Sequence, residues 1–299
     1  MTNLPQFILK EIPLDSYTTY KIGGNAKYFV EIDSMESLKE AILWAKENEI
    51  PFWILGKGSN IVMSDEGYEG LVLYIGPKKY GKIDVTSTGL KAQAGALLHS
   101  LVKTSVDSGL QGIENLGGIP GTLGGGIYIN AGAFDQELVQ VIKTVTSIDF
   151  DGHIRTRTNK ECNFSYRHSN FFNWNEIILE ATLDLKPKDS EQLREQMTQI
   201  LIRRKSKQPL EFPNAGSMYK RPPGTFAGKL IQEADLRGFE LGGAAISDKH
   251  ANFVINKNKA SAQDIYDLSE EVINRVKENS GITIEKEQIF VGNFKPWPR

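Results

Sequence analysis

Apolar positions along this chain come in short runs punctuated by glycine, and the runs define its elements. Residues 17–24 suit an extended segment that Gly23 and Gly24 end in a turn, and 27–32 alternate weakly, as a short strand does. Leu38, Ala41, Ile42 and Ala45 then share one helical face, with Asp33 and Glu36 as a capping pair. An apolar strand over 52–55 follows, so the chain opens with a β-α-β unit. Strands are predicted at 71–75 and 90–94. A helix with Leu97, Leu98, Leu101 and Val102 on its inner face stops near Gly109. Farther on, 139–150 and 153–157 flank Asp151-Gly152 and read as a hairpin with a type I′ turn. Next come a strand at 177–185 and a helix at 190–206 with Leu193, Met197, Ile200 and Leu201 inward. Four prolines between 207 and 224 break the pattern. Beyond them lie a helix at 227–236, a strand at 253–256, a long amphipathic helix capped by Ser261 and Asp264, and a last strand at 282–291 carrying Glu285 and Glu287.

The stretch 117–132, GGIPGTLGGGIYINAG, suits neither a good helix nor an ordinary strand. Each glycine in a regular element costs about 0.5–1 kcal/mol relative to alanine. Bare backbone instead permits close approach of N–H groups to an anion, with a following helix adding its positive end. Ile119, Leu123, Ile127 and Ile129 are interleaved with the glycines and call for burial, which separates this loop from a flexible linker. A second glycine loop, Gly56-Lys57-Gly58-Ser59-Asn60, sits where the 52–55 strand ends. Taken alone it reads as a tight turn. Paired with the first loop it supplies donors for a second side of a pyrophosphate.

Composition narrows the partners. The chain has 299 residues, 40% hydrophobic and 24% charged, as a soluble protein of more than one domain does. A net charge of −2 gives no whole-surface attraction to nucleic acid or anionic membrane. No apolar run is long enough to span a bilayer, and the opening residues lack the pattern of a signal peptide. Cys162 is the sole cysteine, which excludes an internal disulfide and fits a reducing, cytoplasmic setting. His99, His153, His168 and His250 are scattered without ligand spacing, so no metal is expected. The dinucleotide fingerprint GxGxxG is absent after any strand. The run 224–230 falls one residue short of a P-loop and ends in leucine where Ser or Thr should stand. No GxSxG elbow occurs.

Five segments in order resemble one family: LGKGSN at 55–60, GIPGTLGGGIYINAGA at 118–133, SYRHSNF at 165–171, NAGSMYKRP at 214–222 and IEKEQIFVG at 284–292. They look like the UDP-N-acetylenolpyruvoylglucosamine reductases, also called UDP-N-acetylmuramate dehydrogenases, of the vanillyl-alcohol-oxidase-like FAD proteins. The resemblance runs from about Tyr20 to the C-terminus. It implies an α+β / α/β fold with a two-part FAD-binding domain of the vanillyl-alcohol-oxidase (PCMH) type and a smaller α+β substrate-binding domain. The parts it suggests are 1–75, then 76–207 together with a C-terminal strand at 285–299, then 208–284 as the substrate domain.

The reaction implied is NADPH reducing non-covalent FAD, which in turn reduces UDP-N-acetylglucosamine enolpyruvate to UDP-N-acetylmuramate, a peptidoglycan precursor. By the same resemblance Arg167, Ser217 and Glu287 are catalytic. Arg167 would steady charge on the substrate carboxylate, a bidentate task suited to guanidinium. Ser217 would donate the proton, and Glu287, rather than Glu285, would hydrogen-bond the developing enediolate. Gly56, Lys57, Gly58, Ser59, Asn60, Gly117, Gly118, Ile119, Pro120, Gly121, Gly124 and Gly125 would hold FAD. Tyr166, Lys207 and Arg221 would bind the UDP-sugar. His250 and Asn252 either line the site or serve the fold. The short connection after Phe172 resembles the shorter subclass, without an extra tyrosine-bearing loop. Preference for NADPH over NADH and oligomeric state stay open, a monomer being the simplest expectation. Two other functions remain: another FAD oxidoreductase of the superfamily, acting on a sugar or alcohol, or a non-catalytic nucleotide-binding protein. Neither requires Arg167, Ser217 and Glu287 together, and no histidine or cysteine in 117–132 offers a covalent flavin link.

Overall fold

The apolar alternation of the middle of the chain builds a five-stranded antiparallel sheet. Its order is Ile154–Thr158, Ile142–Asp149, Glu176–Asp184, Gly89–Gln93, Ile83–Thr86. In the Glu176–Asp184 strand, Leu179, Ala181 and Leu183 are buried while Glu180 and Thr182 are more open, the period of two that one covered face requires. The computed structural model describes residues 3–297, so the outermost residues of the first and last expected parts lie outside it. Its chain groups into two units. One holds the residues up to Ile8, Val30–Lys57 and Val72–Arg204. The other holds Leu9–Phe29, Gly58–Leu71 and the residues from Lys205 onward.

In the first unit the β-α-β start is as predicted. The Met35–Glu47 helix buries Leu38, Ala41, Ile42, Trp44 and Ala45 and leads into the Phe52–Leu55 strand. Its cap is not Asp33 with Glu36. Ser34 Oγ accepts from Ser37 N–H at 3.1 Å, and Ser37 Oγ accepts from Ser34 N–H at 3.2 Å. The reciprocal partner must stand three residues after the cap, and with Ser34 as cap that position is Ser37, one beyond Glu36. Asp33 instead accepts the Ser37 hydroxyl, which holds its carboxyl below the usual range.

The hairpin at 142–158 forms, but its turn is not type I′. Among the described residues of the connection only Gly152 has a positive φ, +90°. The Asp149 carboxylate gathers the N–H groups of Asp151 and His153, fixing a loop one residue longer. The strand Ile83–Thr86 was invisible in the apolar pattern because its residues are half-buried or exposed. The Ser190–Lys207 helix buries Leu193 fully, while Met197, Ile200 and Leu201 are only half-buried. The other buried residue of this helix is Arg204. Cys162 is buried, and burial pushes its thiol up to about 11.

The glycine run 117–132 does contain a helix, Leu123–Tyr128, half of it glycine. Close packing explains it. A Cβ on Gly124 would lie 2.9 Å from Ala94 Cβ, and one on Gly126 2.8 Å from Leu138 Cδ1. Only glycine lets this helix lie so near its neighbours, and Thr122 caps it by accepting from Gly125 N–H at 3.4 Å.

The second unit is organised on the Ala262–Ser280 helix. Ser261 and Asp264 close a capping box, as the sequence predicts, and Asp65 adds two more acceptors for the N–H groups of Ala262 and Gln263. Ile265, Leu268, Val272 and Val276 pack with Ile231, Leu236, Ile246, Val254, Tyr20 and Val62 in one core. Burying each such aliphatic side chain stabilises by about 1.5–3 kcal/mol. Instead of an extended 17–24 segment there is a one-turn helix, Asp15–Tyr17, after which the Thr18 hydroxyl donates to Ile22 O at 2.7 Å. The last strand is shorter than expected, Ile289–Val291, and runs parallel to Ile61–Met63. The resemblance groups 285–299 with 76–207, whereas here this strand and its partner both belong to the second unit.

Candidate active site

Each unit carries part of the expected constellation. In the first unit the glycine loop passes through a set of close contacts. Gly117 O takes a hydrogen bond with His99 Nδ1 at 2.9 Å, and Gly121 N–H donates to Ile119 O at 2.9 Å. A Cβ on Gly56 would fall 2.4 Å from Thr122 Oγ1, so the two glycine loops meet at Thr122. No described residue accepts a hydrogen bond from the backbone N–H of Gly118 or Thr122. The same holds for the consecutive N–H groups of Gly56, Lys57, Gly58, Ser59 and Asn60. Buried backbone donors in folded proteins are almost always paired, so the amides of Gly58 and Thr122, both buried, call for a partner from outside the chain. Gly125 is exposed and a side chain there would meet nothing closer than 3.5 Å. Ile119 is half-buried and Pro120 exposed beside this run.

Tyr166 and Arg167 form the tip of a two-residue turn closed by Ser165 and His168, whose backbones exchange hydrogen bonds of 3.0 and 3.2 Å. Arg167 sits in the left-handed region at φ +53°, uncommon for a non-glycine residue. Its Nη2 donates to Gly132 O at 3.1 Å, its Nη1 lies 3.7 Å from Glu137 Oε1, and its guanidinium lies over the Tyr166 ring. Buried Asn130 ties these pieces together. Its amide nitrogen donates to Glu137 Oε2 and Ser165 O, both at 3.0 Å, while its oxygen accepts Val139 N–H. The hairpin from Gly132 to Glu137 turns through Phe134 and Asp135, at φ +50° and +61° without glycine. Strain of this kind, of order 1–3 kcal/mol per residue, concentrates at working sites.

In the second unit Gly216, at φ +79°, turns the chain so that Ser217 bridges to Phe253. Met218 N–H donates to Asn252 O, and Met218 O accepts Glu287 N–H, both at 2.8 Å. Ser217 and Glu287 are thus set on adjoining segments, joined by the backbone hydrogen bond from Glu287 to Met218. Both are half-buried, and no described residue hydrogen-bonds Ser217 Oγ. Gln288, buried on the opposite side, donates to Ala215 O and Gly216 O and accepts the Tyr20 hydroxyl at 3.0 Å. Asn60, from the short glycine loop, donates its side chain to Glu287 O at 3.3 Å and accepts Ile289 N–H at 3.0 Å. Glu285 is exposed and pairs with Lys220, which separates it from Glu287. Lys207 is exposed at the end of its helix, and the Arg221 guanidinium lies 4.1 Å over the Phe226 ring.

Asn252 clamps the Tyr219 backbone at both its N–H and its carbonyl, a role in the fold. His250 Nδ1 accepts Asn252 N–H, and burial lowers its pKa, so this ring is neutral at pH 7. Sequence reasoning missed Glu137, Asn130 and Arg204. Asn130 stands in the quoted INAGA run and could have been flagged as a polar residue in an apolar stretch. Glu137 and Arg204 gave no such signal. Among the described residues no cluster of His, Cys, Asp and Glu could hold a metal ion, and no helix is long and apolar enough to cross a membrane.

Residues 26–157 match the FAD binding domain family, and with the paired glycine loops they define a flavin-binding protein. Residues 208–291 match the C-terminal domain of UDP-N-acetylenolpyruvoylglucosamine reductase. The reductase of Pediococcus pentosaceus is 40% identical over 96% of this chain and 95% of its own length. That of Clostridium novyi is 41% identical over 95% and 92% respectively. The crystal structure of the Thermus caldophilus reductase superposes with a TM-score of 0.82 at 32% identity, covering 96% of this chain and all of that one. The chain belongs to the UDP-N-acetylenolpyruvoylglucosamine reductase family.

Proposed function

We propose that this chain reduces UDP-N-acetylglucosamine enolpyruvate to UDP-N-acetylmuramate with electrons from NADPH, as a cytoplasmic step in peptidoglycan precursor synthesis. The observation that carries the assignment of roles is Ser217. Its hydroxyl has no described hydrogen-bond partner, follows a left-handed glycine, and belongs to the segment whose next residue, Met218, accepts the Glu287 N–H. The bare amides of 56–60, Gly118 and Thr122 fit the pyrophosphate of FAD, which Gly117, Ile119, Pro120, Gly121, Gly124 and Gly125 would help enclose. When bound, FAD supplies the two-electron chemistry.

The chain's own residues do the rest. Arg167, fixed by Gly132 O and Glu137, grips the substrate carboxylate and stabilises the negative charge that grows there. Ser217 gives its proton to the carbon beside that carboxylate. Glu287, held by Met218 and Asn60, hydrogen-bonds the enediolate-like group. Tyr166, Lys207 and Arg221 bind the UDP-sugar, the cations on its diphosphate and the ring on an apolar face.

The test is an anaerobic visible spectrum. The purified protein is expected to be yellow, to bleach with NADPH and to recolour with the enolpyruvyl UDP-sugar. Ser217→Ala is expected to bleach normally but to recolour roughly 100- to 10,000-fold more slowly, the usual worth of a general acid. Recolouring by oxygen alone would point to an oxidase, and equal loss of both half-reactions would remove the proton-donor role from Ser217.

A further inference from the structure

Arg204 is a buried cation without a counter-ion among the described residues. It is 7% exposed, on the Ser190–Lys207 helix. No described carboxylate pairs with it, and its Nε is buried with no hydrogen-bond partner. Burial alone pulls its pKa down to about 10. An unpaired buried charge is strongly destabilising, and native chains keep one only where something else neutralises it.

What lies against it is the long glycine loop. A Cβ on Gly118 would fall 2.2 Å from Arg204 Cδ and 2.4 Å from its Nε. Glycine at 118 therefore makes room for this side chain. The N–H of Gly118 is itself without a described acceptor. The strained tip residue Phe134 brings its ring within 5.9 Å of the guanidinium, on an apolar side that offers no anion. The Gly118 amide, without a described acceptor, and the Arg204 side chain, without a described anion, thus lie side by side at one point of the loop.

We propose that Arg204 is a cofactor-binding residue: together with the bare Gly118 amide it neutralises an anionic group of bound FAD. The proposal rests on the flavin assignment above and adds a residue to it. FAD offers two anions of suitable chemistry, the pyrophosphate, charged in every redox state, and the pyrimidine edge of the ring, which gains negative charge on reduction. Arginine suits both, since a planar fork can donate two parallel hydrogen bonds.

The experiment compares full-length wild type with Arg204→Met, Arg204→Gln and Arg204→Lys. It measures affinity for oxidised FAD by flavin fluorescence, the midpoint potential of the bound flavin, and the melting temperature after FAD is removed. Either neutral variant suffices if the other fails to fold. The neutral variants are expected to melt no lower than wild type without FAD, because a stranded charge has gone. If the partner is the pyrophosphate, they bind oxidised FAD at least tenfold more weakly. If it is the reduced ring, the oxidised affinity holds and the potential drops by about 30 mV for each tenfold loss in binding of the reduced form. Lysine, which keeps the charge, is expected to fall between. Neutral variants with wild-type affinity and potential overturn the proposal, as does a loss of melting temperature without FAD that accounts for any weaker binding. A wild-type protein that takes up no FAD would instead sink the flavin assignment itself.

Discussion

At the scale of single residues, the site depends on side chains that hold others in place. Glu137 sits between Asn130 and Arg167, accepting from the first and facing the second. Removing its charge while keeping its shape should leave Arg167 less well oriented. Glu137→Gln is expected to lower kcat for the enolpyruvyl substrate roughly 10- to 100-fold, the scale on which small misplacements act. FAD affinity should not change. Steady-state kinetics with a parallel FAD titration checks this, and a matching loss of FAD binding would mean that the residue supports the glycine loop instead. Motif matching selected Arg167, Ser217 and Glu287, but the part that Glu137 plays in positioning Arg167 was not legible. A glutamate or arginine reads as a solvated charge in sequence unless its burial is known, and burial is a property of the fold. The choice between Glu285 and Glu287 illustrates the same limit. Period-two spacing put both on one side, and only tertiary packing leaves Glu285 exposed on Lys220.

At the scale of elements, glycine in the Leu123–Tyr128 helix has two separable uses. Gly124 is squeezed, with Ala94 where its side chain would go, and Gly125 is open. Gly124→Ala is expected to cost about 1–3 kcal/mol of stability, the range for overpacking. Gly125→Ala is expected to be neutral or to gain up to about 1 kcal/mol from helix propensity. Its penalty should appear in FAD affinity, since the new methyl group occupies the open face of the loop. Thermal melts without FAD, beside fluorescence titrations with it, separate the two, and equal melting of both variants would refute the packing account. The strong periodicities were read correctly: the 142–158 hairpin, the strand at 177–185 and the capped final helix. The errors fell where local chemistry decides. Asp149 chose the turn, Ser34 and Ser37 chose the cap, and a half-exposed strand at 83–86 had no apolar stripe to betray it.

At the scale of the whole molecule, the two units are woven from one chain. The path passes between them at Ile8/Leu9, Phe29/Val30, Lys57/Gly58, Leu71/Val72 and Arg204/Lys205. The core around the long helix therefore includes Tyr20, Ile22 and Val62 from far upstream, and Asp65 caps that helix. A fragment of residues 205–299 would lack these residues and the Ile61–Met63 partner of its last strand. It is expected to show little fixed tertiary structure, with poor amide dispersion by NMR and no cooperative melt. A cooperative melt from that fragment would show that its core is self-sufficient. The family match at 208–291 marks a continuous stretch of sequence, whereas the core it joins is drawn from three separate stretches. That long-range borrowing is why domain limits were the least legible part of the chain.

The buried Cys162 has a practical consequence. With its thiol enclosed and held protonated at neutral pH, the protein is in effect already a cysteine-free background for maleimide chemistry. One new cysteine at exposed Pro120, in the long glycine loop, could carry a single fluorophore without any prior mutation. If FAD seats at this loop as proposed, its isoalloxazine would quench the dye, and the brightness of that one label would report cofactor binding in real time and without turnover.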